Sequence, residues 1–294
     1  MLKRCLKSVI GISGYELRRI DVPAIQDHRS VEAPCSPLEA LYSSTSDRFV
    51  VDVPVDMIVP TRMMLAWIAV LKAYEAHGEA QARALLHGYF TYLQPVNVAQ
   101  YLKLPARKEW HHGHPLSYVY PWEDMLPREK MDFRIHLMRH EAGRNGLQWQ
   151  ASDGWKGFGP VSKRLIDMEL GRLTRIYDSI KQHGLDDRHG HVLGTLFCAG
   201  NFQMVQPRRG WHRVAVCMMV GLTSIPIMFD RRHVVVRLED AEFWPNVRRG
   251  LFSLDEAVKI FDERFGTHLR RGVEKRSSAL VQRGDNLDVA PADL

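Results

Sequence analysis

Residues 202–229 read FQMVQPRRGWHRVAVCMMVGLTSIPIMF. Phe202–Val205 suits a strand, and the basic segment Gln206–Arg213 carries it to Gly210. Trp211–Val220 is apolar enough for a short buried helix that Gly221 stops, and Ile225–Phe229 reads as another strand. The expected order is therefore strand, glycine turn, helix, strand. A glycine before a helix lets backbone approach a ligand closely. The first N–H groups of that helix are unpaired and carry partial positive charge, so this turn is a candidate anion site. Arg209, Gly210, His212 and Arg213 are the candidate phosphate-binding residues; a basic surface turn is the plainer reading of the same residues.

Upstream, His191–Phe197 reads as a strand joined to Phe202–Val205 by the turn Ala199-Gly200-Asn201. Ile166, Leu170, Leu173, Tyr177 and Ile180 recur at four- and three-residue steps, predicting an amphipathic helix over Ser162–Gln182 that His183-Gly184 ends. Met64, Leu65, Ile68, Leu71 and Tyr74 predict a helix from Thr61, Glu79–Tyr92 a second, and Val98–Leu102 a third capped by Asn97. Residues 21–60 read as loop with one extended run near Phe49–Val55, and Pro105–Trp155 as irregular chain with at most one helix near Arg128–His140. Downstream, Val234–Leu238 suits a strand. Ser253-Leu254-Asp255-Glu256 is a capping-box pattern opening a helix through Phe265.

The fold class expected is α+β. Residues 1–150 form a mainly helical region of unassigned role, 151–270 a small mixed-sheet module with a C-terminal helix, and 271–294 a polar, disordered tail. Met1–Ile12 places Leu2, Cys5, Leu6, Val9 and Ile10 on one stripe opposite Lys3, Arg4 and Lys7. It reads as a helix that either adsorbs to an anionic membrane surface or packs on the protein's own body, the second needing no partner.

Composition sets the outer bounds. Of 294 residues 45% are hydrophobic and 25% charged, which excludes wholesale disorder. No apolar run approaches the ~18–20 residues of a membrane span, so no integral membrane contact is expected. Four cysteines without CxxC spacing point to a cytoplasmic, bacterial-type protein. Forty basic and 34 acidic residues leave a net charge of +6, and 29 of the 40 are arginine. Arginine suits phosphate and carboxylate oxygens, though a GC-rich genome enriches it too. Nucleic acid is permitted as a partner without being demanded.

Ser179, Ile180 and Gly184, then Gly210, His212 and Arg213, then Ala215, Gly221, Ile225 and Pro226, follow one another in an order that resembles the ParB/sulfiredoxin superfamily over roughly residues 162–230. The resemblance implies a nucleotide-phosphate site at Gly210–Arg213 occupied by ATP or CTP, with or without Mg²⁺. Trp211 stands where sulfiredoxins carry their catalytic cysteine, which directs the expectation away from sulfiredoxin chemistry. The function expected is binding of a nucleoside triphosphate or other phosphorylated small molecule, extending to a phosphotransferase acting on a small hydroxylated acceptor. The alternative is a non-catalytic adaptor or regulatory module linked to nucleic acid.

A phosphotransferase needs a carboxylate to orient or deprotonate its acceptor. Asp167 and Glu169 lie on the helix leading into the module, and Glu169 is the catalytic candidate. Arg172, three residues on, offers Glu169 an ordinary intrahelical ion pair. His111, His112 and His114, like His189 and His191, lack the spacing of a convergent zinc set, so no metal is expected. Trp110, Trp122, Trp149 and Trp155 read as packing residues, with a base- or sugar-stacking surface as the other use of such rings.

Overall fold

The structure is a computed structural model that describes residues 25–29, 35–186, 188, 190–231 and 235–266. The Met1–Ile12 stripe, His189 and the 271–294 tail lie outside the described residues. The chain order is β1 (Ile25–Asp27), α1 (Pro37–Ser43), β2 (Arg48–Pro54), α2 (Arg62–His77), α3 (Glu79–Tyr92), α4 (Val98–Leu102) and α5 (Pro127–Arg144). There follow β3 (Gly154–Trp155), β4 (Phe158–Val161), α6 (Lys163–His183), β5 (Val192–Ala199), β6 (Phe202–Arg209), α7 (Trp211–Met219) and β7 (Ser224–Asp230). β8 (Val235–Arg237), α8 (Pro245–Arg248) and α9 (254–266) complete the described chain. The class is α+β, and no described helix is long and apolar enough to cross a membrane.

Local chemistry sets the helix ends. Thr61, Asn97 and Ser162 each accept a backbone N–H in the first turn of α2, α4 and α6. Gly184 ends α6 at φ 74°, a left-handed conformation that suits glycine. Ser253 and Glu256 exchange the two hydrogen bonds of a capping box at the start of α9.

A mixed sheet runs β1-β2-β7-β5-β6, with β8 also beside β5. β2 and β7 pair antiparallel from Arg48↔Asp230 to Pro54↔Ser224. β5 and β6 form an antiparallel hairpin around Gly200 and Asn201. β7 lies parallel to the start of β5 through Val192↔Ile227, and β8 parallel to its end through Leu196↔Val235. The sheet therefore joins chain from both sides of residue 150. β2, between β1 and β7, comes from the stretch expected to be mostly loop, where the Phe49–Val55 run proves to be the strand.

Alternation along the strands serves two cores. Leu196 and Cys198 of β5 and Val205 of β6 face a core with Trp67, Leu71, Leu173 and Phe229. Phe197 and Met204 point into another, with Trp244, Phe252, Phe261 and Phe265. Trp122 packs on that second core, Trp149 and the buried Trp155 on a third around Met138 and Phe158, so these rings do serve packing. The buried face of α2 carries Met64, Trp67, Val70 and Leu71, while Leu65 is exposed. The stripe is thus rotated from the one read through Leu65, because Trp67 contributes the larger apolar area.

Gly194, at the bulge in β5, is closely packed between β7 and β6. A Cβ there would lie 2.6 Å from Ile227 Cγ2 and 3.0 Å from Val205 Cγ1. Gly194→Ala is expected to destabilise the protein by about 1–3 kcal/mol through overpacking. The measurement is urea unfolding, with a lower midpoint and an unchanged slope; a variant as stable as the parent would show that the neighbouring strands yield.

Candidate functional site

Gly210 joins β6 to α7 at φ 81° and ψ 20°, and a Cβ on it would lie 3.1 Å from Val192 Cγ2. Glycine is required there both for its left-handed backbone and for the close approach to β5. Trp211 Nε1 donates to the Pro207 carbonyl at 2.7 Å, closing the turn from the other side. Arg208 and Arg209 are exposed on the strand side. The Arg213 guanidinium donates to the carbonyls of Gly190 and His191, tying α7 to the chain that enters β5.

His212, second residue of α7, is buried at 4% exposure, and its ring stacks on Trp67 of α2 with centroids 3.8 Å apart and 23° between planes. Its Nε2 lies 2.8 Å from Glu169 Oε2 of α6. Glu169 has no exposed surface, and its other oxygen, Oε1, has no hydrogen-bond partner among the described residues. Two of the sequence candidates, Glu169 and His212, are thus brought into direct contact. The intrahelical Glu169–Arg172 pair is not formed. Arg172 instead reaches Glu141 Oε2 of α5 at 3.3 Å, because the stripe that buries Glu169 turns it inward toward α7.

Lys156, in the β3–β4 turn and 6% exposed, also pairs with Glu141 and lies 5.9 Å from the centre of the Trp211 ring. Two carboxylates, Glu141 and Glu169, are therefore balanced by two cations, Lys156 and Arg172, without a charge on the imidazole. Burial alone would raise the Glu169 carboxyl, but the hydrogen bond from His212 and the charges of Lys156 and Arg172 outweigh it and hold it below the ordinary carboxylate range. Burial lowers the His212 imidazole below its ordinary value, against the pull of Glu169. The consistent state is an ionised Glu169 accepting from a neutral His212 that carries its proton on Nε2. Nδ1 then holds the free lone pair.

His212, Trp67, Glu141 and Lys156 border a cleft of about 2820 Å³ whose lining also includes Arg62, Arg172, Arg209 and Gly210. Sequence reasoning missed Trp67, Glu141 and Lys156, which lie 143, 69 and 54 residues before Gly210 and carry no local motif. One signal was present: Glu169 falls on the apolar stripe of α6 between Ile166 and Leu173. A carboxylate on a buried stripe requires a partner across the helix interface.

The histidine cluster divides. His111 is buried with Nδ1 3.0 Å from the Pro105 carbonyl, whereas His114 Nδ1 accepts the Leu116 N–H at 3.1 Å. No group of three potential metal ligands occurs among the described residues. No protein-family model, curated protein or solved structure matches this chain.

The buried pair makes stability depend on acid with a defined sign. A carboxylate held low stabilises above the ordinary carboxyl range and loses that contribution as pH falls toward about 2. A neutral buried imidazole loses its contribution as pH falls below roughly 6.5, where the unfolded chain takes up the proton first. Glu169→Gln removes the only anion touching the ring, so protonating His212 in the fold becomes harder. Urea midpoints of the variant should therefore fall more steeply than the parent's between about pH 6.5 and 4.5. A variant profile no steeper than the parent's would mean that the Glu169 charge does not set the protonation of the His212 imidazole.

Proposed function

We propose that this chain binds a nucleoside triphosphate, or another phosphorylated small molecule, at the turn Arg209–Arg213, and that it transfers a phosphoryl group to a small hydroxylated acceptor. The observation that carries the reading is the Gly210 turn. A strand ends in two exposed arginines, and a left-handed glycine then opens a nine-residue helix onto a deep basic cleft. Backbone N–H groups at a helix start and guanidinium forks are the donors that phosphate oxygens use. The order of residues that resembles ParB/sulfiredoxin proteins supports the same assignment, with ATP or CTP as ligand and Mg²⁺ as the accompanying ion.

Within this reading the two residues of the buried pair divide the work. Glu169 is closed off from the cleft and acts as a positioning residue, fixing the tautomer and orientation of His212. His212 Nδ1 is the group with a lone pair to accept the proton of an acceptor hydroxyl. Arg208 and Arg209 hold the phosphates, and Arg213 braces the turn through the Gly190 and His191 carbonyls.

The test is a thermal-unfolding series with ATP and CTP, each with and without Mg²⁺. A ligand at one hundred times its dissociation constant contributes about 2.7 kcal/mol, which should raise the midpoint by roughly 5–10 °C. Arg209→Ala removes a charge-assisted contact and should weaken binding roughly ten- to a hundredfold. Arg107→Ala, which removes an exposed charge outside the cleft lining, is the control and should leave binding unchanged. Equal weakening by both variants would indicate diffuse electrostatics, and no shift with any nucleotide would remove the assignment.

A further inference from the structure

A second part of the same cleft holds positive charge that nothing in the described chain neutralises. Arg134, on α5, is 5% exposed. Its NH1 donates to the carbonyls of Leu116 and Tyr118, each at 2.6 Å, and its guanidinium lies 3.4 Å from the centre of the Tyr118 ring. Among the described residues no carboxylate pairs with it. Arg264, on α9, likewise has no carboxylate partner among the described residues, and its buried Nε–H has no acceptor.

Three tyrosines line the cleft beside Arg134. Tyr118 packs against Tyr101 with ring centres 4.2 Å apart and against Tyr120 at 5.5 Å. The charge of Arg264 is felt at both Tyr101 and Tyr120. Burial pushes the Tyr120 hydroxyl up to about 12 and raises the Tyr101 hydroxyl well above its ordinary value, where Tyr118 also holds its proton, so both stay protonated. The nearby carboxylate, Glu123, is already engaged by Lys130 at 2.7 Å and by the Tyr120 N–H at 3.1 Å. All of these residues border the cleft.

A buried guanidinium without a counter-charge is unfavourable, and N–H forks beside phenol hydroxyls offer donors to an anion. We propose that this corner is an oxyanion-binding site, in which Arg134, Arg264 and the Tyr120 hydroxyl take the carboxylate or phosphate group of a small molecule. The site uses none of the residues of the Gly210 turn and stands whether or not a nucleotide binds there.

The experiment measures thermal unfolding of the full chain in sodium phosphate and in sodium malonate, each against sodium chloride at equal ionic strength. Phosphate or malonate should raise the midpoint above chloride, and the better of the two identifies the group recognised. The effect should persist in Arg209→Ala and weaken roughly ten- to a hundredfold in apparent affinity in Arg264→Gln. Should Arg264→Gln fail to fold, Tyr120→Phe, which removes one hydroxyl and no charge, should weaken it about two- to tenfold. Midpoints no higher than in chloride, or a shift that survives both variants, would overturn the proposal. An oxyanion shift without any nucleotide response would retain this site and remove the one at the turn.

Discussion

The contact between Glu169 and His212 is the constraint around which the rest of the molecule is arranged. A carboxylate without exposed surface is tolerable only when its charge is answered. Here the answer draws on separate elements: the imidazole from α7, Arg172 from α6 itself, and Lys156 from the β3–β4 turn. Glu141 of α5 in turn holds Lys156 and Arg172 in place. Removing one member of such a set strands the others, which typically costs about 3–5 kcal/mol. The pair therefore locks α6 against α7, and Trp67 extends the lock to α2 through its stack on the imidazole.

That lock fixes what the cleft can present. α7 begins where β6 ends, so the position of His212 also sets the position of Gly210 and the helix start. Arg213 adds the tie to the carbonyls before β5, and Val192 packs closely on Gly210. The turn is thus held from the sheet side by close packing and from the helix side by a charge network. Such a frame holds the N–H groups at the start of α7 in fixed positions. The arginine–tyrosine corner belongs to a different part of the cleft, built from α5, α9 and the chain around Tyr118, and its donors are fixed by ring packing.

Much of the local architecture was legible. Asn97, Ser162 and Gly184 fall at the helix ends expected of them, because a cap is a contact between residues three or four apart. The β5–β6 hairpin and the strand–glycine–helix–strand order were equally readable from turn residues and apolar patterning. Glu169 was singled out, but with Arg172 as its neighbour: a three-residue spacing suggests a pair, whereas the burial of one face of α6 decides it.

By itself the sequence determined the α+β class, the main helix boundaries and the place of the Gly210 turn, since all three rest on patterns within a dozen or so residues. Only the tertiary structure decided that β2 pairs with β7 across about 180 residues, and that Trp67, Glu141 and Lys156 surround the Glu169–His212 pair. It alone left Arg134 and Arg264 without carboxylates among the described residues. Hydrophobic burial specifies which faces turn inward but not which charged groups meet there. That choice follows from the packing of whole helices, and no local spacing encodes it.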